Sequence, residues 1–407
     1  MKFAIRIITC FLLLTLQVWA GENWPGWRGT HQDGKSGDAT PPLSWDAETN
    51  VLWKTPVPGV GHSSPIVWED LIFVTTCVES DQSRRLFCID RETGSVKWQQ
   101  VVATCPIEKM HRDNTPASAT PTTDGKHVFV TFAVHGKIQV AAYDFSGSKI
   151  WEVYPGTFES RHGYCTSLVL SENRLFVSGL QDGPDAFVAA LDKHTGETMW
   201  KVPRRDQIRS FSSPLLCKIG ETPALLLSGA NQTVAYEQES GNVLWQTEGP
   251  ASKTVSSIVI CPENKLAFVC GGRDNGFLAI SLSASESPAP KIAWKASKGI
   301  PYMTSPFTDH GFLHILSDEG VYRCYENKTG KVVKELRPVG PVRASMVATD
   351  QYIYVTEKTG KTTVIENNSD WRVVSENDLA EEVMASAAIV GGDFILRTSN
   401  HLVLIRE

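Results

Sequence analysis

The sequence predicts an all-β chain, an eight-bladed β-propeller of four-stranded antiparallel blades. Three observations predict it. A pair of small residues leading into a short strand returns eight times, at intervals of 40 to 55 residues, the spacing of a propeller blade. A turn of the form Asp/Glu-x-x-Thr/Ser-Gly followed by Trp recurs, as in "IDRETGSVKW" from Ile89, "LDKHTGETMW" from Leu191 and "YEQESGNVLW" from Tyr236, and one residue shorter in "YDFSGSKIW" from Tyr143. The chain finishes on three strand-like segments without a fourth, while a lone fourth, "NVLWKTPV", stands at residues 50–57.

The start, "MKFAIRIITCFLLLTLQVWAGENW", has Lys2 and Arg6, a short apolar run and small residues at Ala20 and Gly21. It reads as a secretory leader over residues 1–20, too short for a membrane span. The expectation is an exported chain, periplasmic or extracellular. Residues 21–49 are rich in Gly and Pro and are expected to pack outside the propeller or across one face. Residues 50–407 form the propeller.

Within it the order of segments is constant. The small pairs stand in "HSSPIVW" (62), "ASATPTT" (117), "CTSLVLS" (165), "FSSPLLC" (211), "VSSIVIC" (255), "MTSPFTD" (303), "RASMVAT" (343) and "MASAAIV" (384). Each opens an inner strand. A strongly apolar second strand follows, such as "LIFVTTC" or "RLFVSGL", then a third such as "FVAALD". Branched and aromatic residues dominate, and Gly, Asn and Asp punctuate, as β-hairpins require. In the next turn Gly94, Gly147, Gly196, Gly241 and Gly330 supply a positive φ at no steric cost. The fourth strand is the exposed edge. Trp53, Trp98, Trp151, Trp200, Trp245, Trp294 and Trp371 are assigned to it, each ring packing over the neighbouring blade. The turn in "NKTGKVVKEL" lacks the ring, which predicts a weaker joint there. Pairing residues 50–57 with the C-terminal strands closes the ring and leaves no open array.

The chain of 407 residues is mildly acidic, with a formal charge of −6 and no basic block, so it carries no nucleic-acid footprint. Eight cysteines follow Cys10 without zinc spacing. Most read as buried thiols, although Cys77 with Cys88, and Cys261 with Cys270, could face each other across hairpins. No hydrolase, kinase or dinucleotide signature is present. "CGGRDNG" at 270–276 runs from strand to strand and reads as a hairpin turn.

The small-small-Pro lead, the Gly-x-x-x-Trp turn, the eight units and the stretch "WPGWRG" with "VPGVGHSSPIVWEDLIFVTT" resemble the pyrroloquinoline-quinone-type propeller repeat. That resemblance implies the fold over residues 50–407. The superfamily contains quinone-dependent alcohol and glucose dehydrogenases as well as non-catalytic scaffolds, including a lipoprotein of outer-membrane β-barrel assembly. The dehydrogenases carry adjacent cysteines and a calcium cluster of Glu, Asn and Asp. No counterpart of either is found here.

Residues just before each inner strand converge on the propeller axis. They are His62, His111, Arg112, Asn114, Arg161, His162, Tyr164, Arg209, Phe211, Lys253, Tyr302, Arg343 and Glu382. Such a polar, cationic ring suits an anion. The long connections at 99–117 and 154–165 lie side by side, and His111 with Asp113 offers an acid–base pair. The functional expectation is an exported, non-catalytic, monomeric propeller that binds a partner protein or an anionic small ligand at its axial face, with no cofactor or metal. The alternative is a pyrroloquinoline-quinone and calcium dehydrogenase acting on an alcohol or sugar.

Overall fold

The computed structural model describes residues 23–204, 206–271, 276–282 and 290–407. The leader at 1–20 and the centre of "CGGRDNG" lie outside the described residues. Eight four-stranded antiparallel sheets form a ring, an eight-bladed β-propeller. Blade 1 runs Ile66–Trp68, Leu71–Val78, Ser83–Asp90 and Val96–Thr104 from axis to rim. Blades 2 to 7 follow in chain order. Blade 8 takes Ala388–Val390, Asp393–Arg397 and His401–Ile405 from the C-terminus and Val51–Pro56 from the N-terminus. Lys54 faces Val403 and Pro56 faces His401 across that seam. The core lies between blades, because each sheet buries both faces on its neighbours. Phe73, Leu86 and Cys88 of blade 1, for instance, pack with Val128, Val130 and Ala141 of blade 2.

The repeated turn and the repeated Trp belong to consecutive blades. The indole N–H of Trp53 donates to Arg91 O at 2.8 Å, and that of Trp98 to Phe145 O at 2.8 Å. Trp151, Trp200 and Trp294 do the same to Lys193, Gln238 and Asn327. The turn glycine of the next blade lies flat on the ring. A Cβ on Gly94, Gly241 or Gly330 would stand 2.6–2.7 Å from the indole, and all three have φ near +70°. The glycine is therefore demanded twice, by backbone conformation and by the ring.

Trp245 occupies the same strand position, opposite Ala235. Trp371 does not. It sits in the turn with φ +45°, before the outer strand Val373–Asp378, and meets Phe312 edge-on at 5.6 Å. The position opposite Val364, where six blades carry Trp, belongs to Ser375. In blade 6 it belongs to Lys334, opposite Cys324. The cysteines that could have faced each other across hairpins do not. Cys77 faces Arg84 and Cys88 faces Phe73, while Cys261 faces Leu266 and Cys270 faces Phe277, because the hairpin registers are offset from the sequence symmetry. All eight described thiols are free.

Residues 23–49 form a strap across one end of the inner strands. Trp24 N–H donates to Val67 O of blade 1, and Thr123 N–H of blade 2 to Pro25 O, both at 2.8 Å. Leu216 N–H of blade 4 donates to Gln32 Oε1 at 3.0 Å, and Ser36 N–H to Ala348 O of blade 7 at 2.9 Å. Arg28 is buried and donates to Ser305 O and Pro306 O of blade 6. Six carbonyl and amide contacts of this kind replace water for backbone groups at the strand ends.

Candidate functional site

Around the axis the second small residue of each unit is Ser or Thr. These are Ser64, Thr120, Ser167, Ser213, Ser257, Ser305, Ser345 and Ser386. The backbone N–H of one donates to the hydroxyl of the next, blade after blade. Seven such bonds of 2.9–3.1 Å run from Ser64 to Ser386. A small side chain is needed so that eight strands can approach one axis. A hydroxyl is needed because the inner strand has no further partner on that side. Each hydroxyl that accepts this bond still has its own proton to donate.

Inside this belt lies a cavity of about 260 Å3. Trp27 of the strap lines it, and the Arg28 guanidinium lies 5.8 Å from the centroid of that ring. The strap thus floors the cavity, and its mouth opens on the face where the blades connect. Blades 1 and 2 raise one side of the mouth. Their outer strands, Val96–Thr104 and Lys149–Thr157, have nine residues against five or six in the other blades. The loop that follows blade 1 is tied down by fully buried Arg84, which donates to Cys105 O and to Glu108 Oε2 at 2.6 Å.

Of the residues expected at the axis, His62, His111, Asn114, His162, Phe211, Tyr302 and Arg343 line the cavity. The imidazoles of His111 and His162 stack at 5.4 Å and 7°. Asn114 Nδ2 donates to His162 O at 2.7 Å, which fixes the two long loops to each other. His62 is pushed down to about 4 by burial and by the Arg397 guanidinium beside it. Burial also lowers His162, helped by Arg209 and His111. Both are neutral at pH 7.

Other expected residues lie elsewhere. Arg112 and Arg161 project into solvent, with side chains 88% and 79% exposed. Arg209 is drawn aside to Asp182 Oδ1 at 2.7 Å. Tyr164 is a core residue, its ring edge-on to Phe158 at 5.1 Å. Glu382 pairs with Lys358 at 3.0 Å, and Lys253 is not among the lining residues. Four expected cations are therefore absent from the wall, because loop residues follow local partners and not the blade period. His111 and Asp113 make no acid–base pair. The backbone N–H of Asp113 donates to His111 Nδ1 at 3.2 Å, and its carboxylate faces Arg343 Nε at 3.6 Å across the mouth.

Sequence reasoning missed Asp318, Met303, Met384 and Trp27. Asp318 comes from a hairpin of blade 6 and accepts the N–H groups of Tyr302 and Met303 at 3.1 and 3.0 Å. Burial raises its carboxyl above the ordinary range. The hydroxyl belt had a signal, Ser or Thr at one position in all eight units. Asp318 had none, since nothing in "LSDEGVY" distinguishes it from a solvated turn.

A family model described as outer membrane protein assembly factor BamB matches residues 41–152 and 108–259, more than half of the chain. The chain belongs to this family. Solved structures share the fold of this BamB-family propeller. BamB from Moraxella catarrhalis is 12% identical with a TM-score of 0.63, covering 88% of this chain and 97% of that one. The quinohemoprotein alcohol dehydrogenase from Comamonas testosteroni is 10% identical with a TM-score of 0.67, covering 96% and 81%. The computationally designed Ika8 protein is 10% identical with a TM-score of 0.62, covering 87% and 100%. No curated protein matches the sequence. Such identities carry fold and not chemistry.

The quinone and calcium pair of the dehydrogenases finds a poor fit. That quinone is a polycarboxylate, and the only guanidinium in the wall among the described residues already faces Asp113. Among the described residues no group of three acidic, Cys or His side chains is placed to hold a metal ion. Among the described residues Cys165 is the single cysteine in the wall. No helix among the described residues is long and apolar enough to cross a membrane.

Proposed function

We propose that this chain is an exported binding propeller that receives a small ligand in its axial cavity and performs no chemistry on it. The observation that carries this reading is the floor. A cavity closed by Trp27 and the strap, walled by a hydroxyl belt and framed by neutral imidazoles, is built for retention and not for passage. The dehydrogenase reading asks for a cofactor that the wall does not suit. Scaffold behaviour in the BamB family favours a second reading, a partner protein at the rim, where Leu52, Val96, Ile150, Val243, Val332 and Val373 recur as exposed aliphatics on the unpaired outer strands. The tryptophan contacts between blades are proposed as the joints that hold either site in shape.

The test uses the full mature chain. Thermal unfolding is followed with a panel of small sugars, carboxylates and phosphates, for the natural chain and for Val255→Trp, which fills the cavity from its wall. A ligand that raises Tm of the natural chain and not of Val255→Trp supports the reading. Dye reduction with an alcohol or sugar after adding pyrroloquinoline quinone and calcium would overturn it.

A further inference from the structure

The cavity wall also specifies what kind of molecule fits, and this step rests on the axial cavity being the binding site. Its charges cancel or are withheld. Arg343 faces Asp113, His62 and His162 are held neutral by burial, and Asp318 is a buried carboxyl that already accepts two N–H groups. An anion entering here meets, among the described residues, two carboxyl groups and one guanidinium whose charge is paired with Asp113 while its Nε makes no hydrogen bond. Carboxylates only accept hydrogen bonds, so the acceptors in the wall would stay unpaired and repel them.

The wall holds donors and acceptors in alternation. Hydroxyls of the belt keep protons to donate, while Asp113, Asp318 and the neutral imidazoles accept. The Nδ1 atom of His162 is buried without a partner, while the ring lines the cavity and stacks on His111. Beside these polar groups lies an apolar patch of Trp27, Met303, Met384 and Phe211. The Arg28 guanidinium lies over the Trp27 ring, 5.8 Å from its centroid.

A ligand matching this wall has several groups that both donate and accept, carries no net charge, and offers one face of C–H bonds to an aromatic surface. We propose that the axial cavity binds an uncharged sugar ring. Hydroxyl groups are the one common ligand group that donates and accepts at the same atom, and a pyranose presents them around its edge with an apolar face between. The volume of about 260 Å3 is below the roughly 300–1,000 Å3 of drug-sized sites, which suits a single ring inside the belt. Free sugar and the terminal ring of a glycan share this chemistry.

Isothermal titration of the full mature chain tests the assignment. The probes are glucose, galactose, mannose and N-acetylglucosamine, with glucuronate and citrate as anions, at 20 mM and 300 mM salt. The expected result is binding of at least one neutral sugar with affinity unchanged by salt, weakened tenfold or more by Trp27→Ala and by His162→Ala. His162→Ala guards against a strap that fails to dock in the first variant. A trisaccharide ending in the same ring that binds tenfold tighter points to a glycan end. Equal affinity points to the free sugar. Binding of glucuronate or citrate alone, falling steeply with salt, overturns the sugar and leaves the axial site standing. Sugar binding that survives Val255→Trp overturns the site itself. No binding of any neutral sugar at millimolar concentration overturns the assignment.

Discussion

The contact between blades 3 and 4 and the contact between blades 6 and 7 are built from different materials. At the first, Trp200 is 9% exposed, lies on Gly241 and donates to Gln238 O at 3.0 Å. At the second, Lys334 stands in the ring's place and its Nζ reaches Asp370 O at 3.0 Å, fully in the open. The missing apolar contact is supplied from the other side, where Trp371 turns back onto Phe312. Between blades 7 and 8 the outer position holds Ser375, which donates to Leu43 O of the strap. There Trp45 of the strap enters the joint, 5.1 Å from Phe394 and 6.4 Å from Tyr354. What recurs is a filled wedge between outer strands, and the residue that fills it can come from either blade or from outside the repeat.

This comparison breaks first at Trp200. Its replacement by Ala is expected to cost about 3–5 kcal/mol, since a buried indole and its bonded carbonyl are both lost. Trp45→Ala should fall toward the lower end of that range, because the strap can shift into the space. Urea unfolding midpoints measure both. If either variant unfolds like the natural chain, the wedge is not what holds the joints.

The closing blade sharpens the contrast because it is tied by charge. Glu381 receives Lys54 Nζ at 3.0 Å from the N-terminal strand and lies 2.9 Å from His401 Nδ1 on the C-terminal one. Burial opposes its ionisation, but hydrogen bonds from Lys54, His401 and Asn400 outweigh that and bring its carboxyl down to about 2. A carboxyl depressed in the fold stabilises fully above its unfolded value, near 4.5, and the contribution is lost as pH falls toward 2. Stability measured by urea unfolding should therefore drop across that window, and Glu381→Gln should flatten the drop. An unchanged slope in the variant would show that the seam does not depend on this carboxylate. The smallest effect is expected at Lys334. Lys334→Ala should shift stability by no more than ~0.5 kcal/mol, because an exposed ammonium exchanges its carbonyl for water almost without loss. A larger loss, read from the same unfolding midpoints, would make the exposed bond a true substitute for the indole.

The legible parts of this molecule are those the repeat controls. The turn in "LDKHTGETMW" announced both a glycine at positive φ and a ring on the outer strand, and "NVLWKTPV" announced the closing partner of the last three strands. Trp371 misled because it follows the third strand of its blade as the other tryptophans do, while a longer turn after Glu366 delays the outer strand to Val373. The site was less legible. His62 and His162 precede inner strands, so the period carries them to the axis. Arg161 lies next to His162 in sequence, yet it points to solvent beside Asp182.

Sequence alone determined the ring of eight blades, the seam between the termini and the small residues that open each inner strand. These follow from backbone geometry repeated every 40 to 55 residues, and a pattern repeated eight times leaves little room for another fold. Tertiary structure alone decided which polar side chains share the cavity, that Trp27 floors it, and that Asp113 meets Arg343 across its mouth. Those contacts join residues far apart in the chain through irregular loops. No period constrains such loops, and each side chain goes to the partner that best repays its desolvation.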